Sequence, residues 1–337
     1  MHVRALSVDS RKALLVPESI SLEDLRDDEI LVRITHCGLC RSDLNRLRLE
    51  KPTSGSRMVL GHEIVGEVVR TGRAVRGMHP GIRVGVGWQS GSCGDCEWCM
   101  KGEQHLCLDQ EETCIGRSGG FATHIKVQSG FAVPVPSELD SAEAAPLMCA
   151  GITVFSPIVR HGVNEEKRAA VNGIGGLGHL ALQFLRAMGN SPDAFSSSSD
   201  KEEDAGSFGA GRFFRMEGIR TAEQMASVYD FILSTSPGLS DLTGLVRMLR
   251  PRGVLCLVGL PRTQVTFAAD ELIGFQKTIE GSPIGSPGAI AEMFRVAVDK
   301  RVRPKIECFP MTQANAAMER LAENRIRYRA VLVQDLA

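Results

Sequence analysis

The chain has 337 residues, with 40 acidic against 39 basic side chains, a net charge of -1 and 43% hydrophobic residues. That length exceeds one comfortable core and points to two domains of roughly 150 residues each. The near-zero charge offers no field for nucleic acid or a membrane surface. No apolar stretch approaches the roughly 20 uninterrupted residues of a membrane span, and the start, Met1-His-Val-Arg-Ala-Leu6, lacks the shape of a signal peptide, so a cytoplasmic location is expected. In that reducing setting the 10 cysteines point to metal ligation or buried small hydrophobes rather than to disulfides.

To about residue 150 the chain reads as short strands broken by turns, at 3–8, 29–35, 63–70, 83–87 and 121–127, which makes a β-rich, irregular domain. Within it, Thr35-His-Cys37-Gly-Leu-Cys40-Arg41-Ser42-Asp43 carries cysteines from the end of a strand into a short helical pattern. Alone, a cysteine after a strand is a packed thiol. Two further stretches change its weight: Leu60-Gly61-His62-Glu63, opening an apolar strand, and Leu147-Met148-Cys149-Ala150-Gly151, ahead of a helical run. Two thiols and an imidazole make a three-ligand zinc site with an open fourth position, the catalytic arrangement. His2, His36, His79, His105, His124, His161 and His179 have no such company and read as surface or locally satisfied imidazoles.

The run Cys93-Gly-Asp-Cys96-Glu-Trp-Cys99, closed by Cys107, can wrap one tetrahedral Zn²⁺, with Gly94 and Gly102 permitting tight turns. Two disulfides or chance clustering are the other readings. A closed site of this kind is structural, and it would hang from the β-rich domain as a lobe.

From about residue 152 strands and helices alternate. Ala169-Ala-Val-Asn-Gly173-Ile-Gly175-Gly176-Leu177-Gly178 runs a short apolar strand into a glycine turn, and Leu177, Leu180, Ala181, Phe184, Leu185 and Met188 then form one apolar helical face, with Gly189 placed to cap the end. Such a turn lets backbone approach a dinucleotide pyrophosphate at a helix N-terminus. Further strands at 193–197, 212–216, 230–234, 254–259 and 278–284 complete a doubly wound parallel sheet of six. Amphipathic helices at 289–298 and 313–322 and a last strand at 330–333 return to the first domain. Where an NAD-binding fold carries an acid, this chain reads Phe195-Ser196-Ser197-Ser198-Ser199-Asp200-Lys201; hydroxyls and a lysine favour the 2′-phosphate of NADP(H), with Asp200 the dissenting group.

Together these motifs resemble the zinc-dependent medium-chain dehydrogenase/reductase superfamily over nearly the whole chain. The closer likeness is to the cinnamyl alcohol dehydrogenase branch and the bacterial NADPH-dependent aldehyde reductases. It is carried by Gly85-Val-Gly-Trp88, Gly119-Gly-Phe-Ala122, Leu147 to Val154, the glycine run ending at His179, and Arg327-Tyr-Arg329. The resemblance implies an α/β fold: a GroES-like catalytic domain with a zinc lobe at 1–151 and 286–337, and a six-stranded Rossmann domain at 152–285. It implies two zinc ions per chain, Cys37, His62 and Cys149 binding the catalytic one, Cys93, Cys96, Cys99 and Cys107 the structural one, with Cys40 a bystander. Glu63 is then a carboxylate near the metal, Ser42 the proton-passing hydroxyl and Asp43 the group orienting the histidine. Arg41, Gly173, Gly175, Gly176, Leu177, Gly178, Ser196, Ser197, Ser198, Lys201 and Arg329 are implied to meet the cofactor.

The implied activity is interconversion of aldehydes and primary alcohols with NADP(H), in the reducing direction, by a homodimer joined through the cofactor domain. An NAD-dependent polyol or secondary-alcohol dehydrogenase and a catalytically idle nucleotide-binding relative are the alternatives. Asn45, Ile82, Pro192, Lys51 and Arg57 depart from the family pattern without touching a zinc ligand.

Overall fold

A computed structural model describes residues 1–9, 12–49, 58–216, 219–238, 241–260 and 264–336; Lys51 and Arg57 lie outside them. The described chain divides into two compact units, Met1–Cys149 with Gly285–Val298 and Pro304–Ala337, and Ala150–Ile284 with Asp299–Arg303.

The first unit is built on a sheet in the order Ile306–Pro310, Arg329–Val333, Glu29–Leu39, Ile64–Thr71, Arg83–Val86, Ala132–Pro134, with His124–Gln128 also pairing Glu29–Leu39. The expected strand at 121–127 therefore starts later, and Ala122 only bridges Ala5. Glu29–Leu39 is the centre of the sheet. Its Ile30, Val32 and Ile34 are 0–1% exposed, and its register against Ile64–Thr71 shifts between Ile34 and His36. Such irregularities re-aim the side chains that follow. The strand stops at Leu39, and Cys40 sits in the turn before the helix Arg41–Leu49. Ile82 packs against the core of this unit and its carbonyl accepts from Val68 N at 2.9 Å, so the departure at this turn is absorbed as apolar contact.

In the second unit six parallel strands lie in the order Arg212–Arg215, Asp193–Ser196, Ala169–Asn172, Tyr229–Ser234, Leu249–Leu257, Thr278–Gly281. The order reverses direction beside Ala169–Asn172, the switch point at which doubly wound sheets bind ligands. Pro192 precedes the first paired residue, Asp193, so its missing N–H costs no ladder bond.

Against the expectation that no stretch approaches a membrane span, one helical run, Ser141–Arg160, is long and apolar enough to cross a membrane by length and composition; 83% of its most apolar window is buried inside the protein, as in a core helix. Asp140 caps its start by accepting from Ala142 N at 2.7 Å. Pro146 offers no N–H to the helix, and the chain widens directly afterwards into the π-turn Leu147–Gly151, which carries Cys149.

Candidate functional site: two thiol clusters and a glycine turn

Cys40, His62, Glu63 and Cys149 converge so that one ligand atom from each lies within 4.8 Å of the others. The expectation naming Cys37 is corrected by this geometry. Cys37 is paired on both sides in the sheet, opposite Ile64 and Leu332, and its side chain is 0% exposed within the apolar core. Burial pushes its thiol well above the ordinary range. Cys40, the single residue between the end of the strand Glu29–Leu39 and the next helix, is held well below that range by a hydrogen bond from Cys149, against burial and with help from His62, while the same bond and burial push Cys149 up. Position separates the three thiols: Cys40 and Cys149 bring their sulfurs to the group formed with His62 and Glu63, and Cys37 does not join it.

Asp43 organises the cluster. Its Oδ1 meets His62 Nδ1 at 3.1 Å and accepts from Gly61 N at 3.0 Å, while Oδ2 accepts from Cys40 N at 3.0 Å. Two segments distant in sequence are thereby tied together, and the imidazole is fixed with Nδ1 engaged. Burial alone would lower the His62 pKa; the charge of Asp43, with Cys149 behind it, outweighs burial and holds it well above the usual value. His62 Nε2 and Glu63 Oε2 are buried without a hydrogen-bond partner. Buried polar atoms are rarely left so. A Zn²⁺ ion accepting Nε2 and two thiolates fits this donor set, which is that of catalytic zinc sites with Cys₂His ligation.

Glu63 is raised to about 7 by burial, which Arg329 opposes. Arg329, expected at the cofactor phosphates, is 6% exposed, and its Nη2 pairs with Glu63 Oε1 and reaches Leu39 O at 3.4 Å. The structure thus places it behind the Cys40–His62–Glu63–Cys149 cluster. Gly38 makes room for the carboxylate, since a Cβ there would overlap Glu63 Oε2. Arg41 is also engaged within the first unit, on Asn324 Oδ1 at 2.6 Å and Leu321 O at 3.4 Å. Ser42 Oγ lies 3.7 Å from Cys40 Sγ. Trp88 packs edge-on against His62 with ring centroids 4.8 Å apart and carries the Arg46 guanidinium 5.3 Å over its own ring.

Sequence reasoning assigned nothing to Cys114, which joins Asp43 and His62 in a second cluster within 4.8 Å, buried and at φ 67°. No local signal marks it. For Cys40 a signal existed: an aspartate three residues on, at a strand-to-helix turn, whose carboxylate returns to the cysteine's own backbone N–H.

Cys93, Cys96, Cys99 and Cys107 form the other thiol cluster, again within 4.8 Å. Cys93 Sγ lies 3.9 Å from Cys99 Sγ and 3.5 Å from Cys107 Sγ. Thiolates about 2.3 Å from a tetrahedral zinc stand about 3.8 Å apart. All four are free thiols, which removes the disulfide reading. Gln89 Nε2 donates to Gln104 O at 2.8 Å and ties the lobe to the adjoining strand Gln89–Gly91.

In the second unit, Gly173 has φ 93° and its N–H donates to Phe195 O at 2.8 Å. Thr235 Oγ1 donates to Gly173 O at 2.6 Å, and a Cβ on Gly178 would overlap that same carbonyl, so the helix Gly178–Ala187 must start at a glycine. Nothing lies within 4 Å of a Cβ built on Gly175, and no side chain caps the helix at Leu177. An open glycine face and uncapped N–H groups fit a dinucleotide pyrophosphate. At the end of the next strand, Ser196 Oγ accepts from Ser198 N at 3.2 Å, Ser198 donates to Asp200, and Lys201 Nζ donates to Ile174 O at 2.8 Å. His179 is 0% exposed and packs on Phe208, a satisfied core imidazole.

A GroES-like unit holding a Cys₂His donor set, together with a Rossmann unit, defines the class of zinc-dependent dehydrogenases. Residues 26–137 match the alcohol dehydrogenase GroES-like domain family and residues 176–299 the zinc-binding dehydrogenase family. An aldehyde reductase of Synechocystis is 36% identical over 305 residues, covering 90% of this chain and 91% of its own. A probable formaldehyde dehydrogenase of Bacillus subtilis is 36% identical, covering 98% and 97%. Among solved structures, a cinnamyl alcohol dehydrogenase of Sorghum bicolor superposes with a TM-score of 0.93 at 32% identity, covering 99% and 98%. One from Helicobacter pylori, complexed with NADP(H), gives 0.90 at 27%, covering 99% of both chains. The chain belongs to the zinc-dependent medium-chain dehydrogenase/reductase superfamily, on its cinnamyl alcohol dehydrogenase branch. It is a zinc-dependent oxidoreductase of the alcohol and aldehyde class.

Proposed function

We propose that the protein is an NADPH-linked aldehyde reductase with two zinc ions per chain, working as a homodimer. The observation that carries the reading is the converging Cys40–His62–Cys149 set with the buried His62 Nε2 left without a partner. Relatives described as aldehyde reductase and cinnamyl alcohol dehydrogenase support the substrate class, and the serine-lysine segment after Asp193–Ser196 supports NADP(H).

Bound in the cluster, zinc would supply Lewis acidity at the substrate oxygen, and NADPH at the glycine turn would supply the hydride. Cys40, His62 and Cys149 would hold the metal. Asp43 keeps Nδ1 of His62 occupied, so the lone pair on Nε2 is the one presented. Ser42, beside Cys40, is placed to give a proton to the oxygen as a carbonyl is reduced and to take one from an alcohol in reverse. Glu63 is steadied by Arg329 and keeps Oε2 available to the same centre. With Arg41 and Arg329 committed inside the first unit, we assign the pyrophosphate to the glycine turn alone. Thr278–Gly281, at the edge of the six-stranded sheet, is the strand we assign to dimer pairing.

Metal content and initial rates test this together. About two zinc ions per chain and faster reduction of short, aromatic and long-chain aldehydes with NADPH than with NADH are expected. About one zinc, with no NADPH consumption on any aldehyde, overturns it. Faster turnover of polyols with NAD moves the protein to the alternative class.

A further inference from the structure

We propose that Arg215 is a specificity determinant for the cofactor, its guanidinium binding the 2′-phosphate that separates NADPH from NADH. The inference rests on the NADP(H) reading of the glycine turn and adds a residue that the serine-lysine segment does not contain.

The parallel strands Asp193–Ser196 and Arg212–Arg215 pair in register, with Asp193 opposite Arg212, Phe195 opposite Phe214 and Ser196 opposite Arg215. In a parallel ladder, paired residues point to the same face and successive residues alternate. Phe195 and Phe214 stack with centroids 5.3 Å apart and planes 19° apart, which marks one face. Ser196 and Arg215 therefore stand side by side on the other, at the carboxyl ends of their strands. Met216 N donates to Ser196 O at 2.8 Å, so the pairing holds to its last residue. Outside the carboxyl ends of the strands is where doubly wound sheets bind their ligands.

Charge at this corner favours the same assignment. Asp200 brings a carboxylate, and the ammonium of Lys201 is drawn onto Ile174 O of the turn. Those two leave little net positive charge for a phosphate. Arg215 is exposed, and among the described residues no hydrogen bond or ion pair engages its guanidinium. The strand's other arginine is spent differently: Arg212 Nη2 pairs with Asp193 Oδ2 at 2.6 Å, at the opposite end and on the opposite face. A planar guanidinium beside a serine hydroxyl suits a phosphate dianion, which it can bind through two parallel N–H groups as an ammonium cannot.

The test uses the full chain and its Arg215→Gln and Arg215→Lys variants. Dissociation constants for NADPH, NADH and 2′,5′-ADP are measured by isothermal titration calorimetry, alongside initial rates. Losing charged hydrogen bonds to the phosphate is expected to weaken NADPH and 2′,5′-ADP by about 10- to 100-fold in Arg215→Gln. NADH binding should stay within about twofold, kcat at saturating NADPH should be retained, and Arg215→Lys should recover part of the loss. Unchanged binding of NADPH and 2′,5′-ADP by Arg215→Gln overturns the role, and so does equal weakening of NADH and NADPH. A wild-type chain that binds NADH as tightly as NADPH and ignores 2′,5′-ADP overturns the underlying cofactor reading, and that is settled before either variant is made.

Discussion

The four thiols of the lobe come from one short segment, Cys93 to Cys107, whereas Cys40, His62, Glu63 and Cys149 reach their meeting point from the turn after one strand, the approach to a second and a π-turn. The lobe keeps Cys93 exposed, and its four converging ligand atoms are all thiol sulfurs. The other cluster is deeper: His62, Glu63 and Asp43 are each 0% exposed, only Cys40 is half-buried, and Asp43 and Arg329 back the imidazole and the carboxylate. A locally closed set of four ligands can do no more than hold a lobe together. A set drawn from distant segments, with a buried carboxylate behind its imidazole, ties chemistry to the correct folding of the whole unit.

The sharpest way to break the comparison is to exchange the two neighbouring cysteines. Cys40→Ser should remove catalytic activity and lower zinc from about two to about one per chain after dialysis. Cys37→Ala should keep both metals and the activity and cost about 1 kcal/mol of stability, because it trims a buried sulfur from the core. If Cys37→Ala loses the metal and Cys40→Ser keeps it, the ligand assignment made from the geometry is wrong.

A smaller effect is expected from Asp43→Asn, which keeps the shape but removes the charge facing His62. Metal affinity, measured by competition with a chelator, should fall by about 10- to 100-fold. An unchanged affinity would mean that Asp43 serves only to tie Cys40 and Gly61 by their backbone. Least costly to turnover is Cys99→Ser. It should release the lobe's metal and lower Tm by roughly 5 °C, while kcat stays within about twofold; a collapse of kcat would show that the two clusters are not separable in role.

The same contrast explains what was legible in the sequence. The spacing of Cys93, Cys96, Cys99 and Cys107 is a local fact, and so is the glycine turn after Ala169–Asn172, because both are set by residues adjacent along the chain. The alternation of strands and helices likewise led to the six-stranded sheet. Choosing between Cys37 and Cys40 was a different problem. It depends on where Glu29–Leu39 leaves its ladder and on a register shift within it, and those are set by partners more than twenty residues away in sequence, such as Ile64 and Leu332. The partnership of Arg329 with Glu63 was hidden for the same reason, as were the approach of Cys114 to His62 and the side-by-side placement of Ser196 and Arg215.

The π-turn at Leu147–Gly151 has a consequence for how this chain tolerates insertions and deletions. Each helical residue advances the side-chain direction by about 100°. Removing Leu147 or Met148 would leave composition almost untouched yet swing the Cys149 thiol by that angle relative to Ser141–Pro146, away from Cys40 and His62. Here the reading frame of a helix, more than the identity of its apolar residues, carries the thiol proposed as the third ligand. A one-residue deletion in this turn should therefore be more damaging to the centre than most substitutions at the same positions.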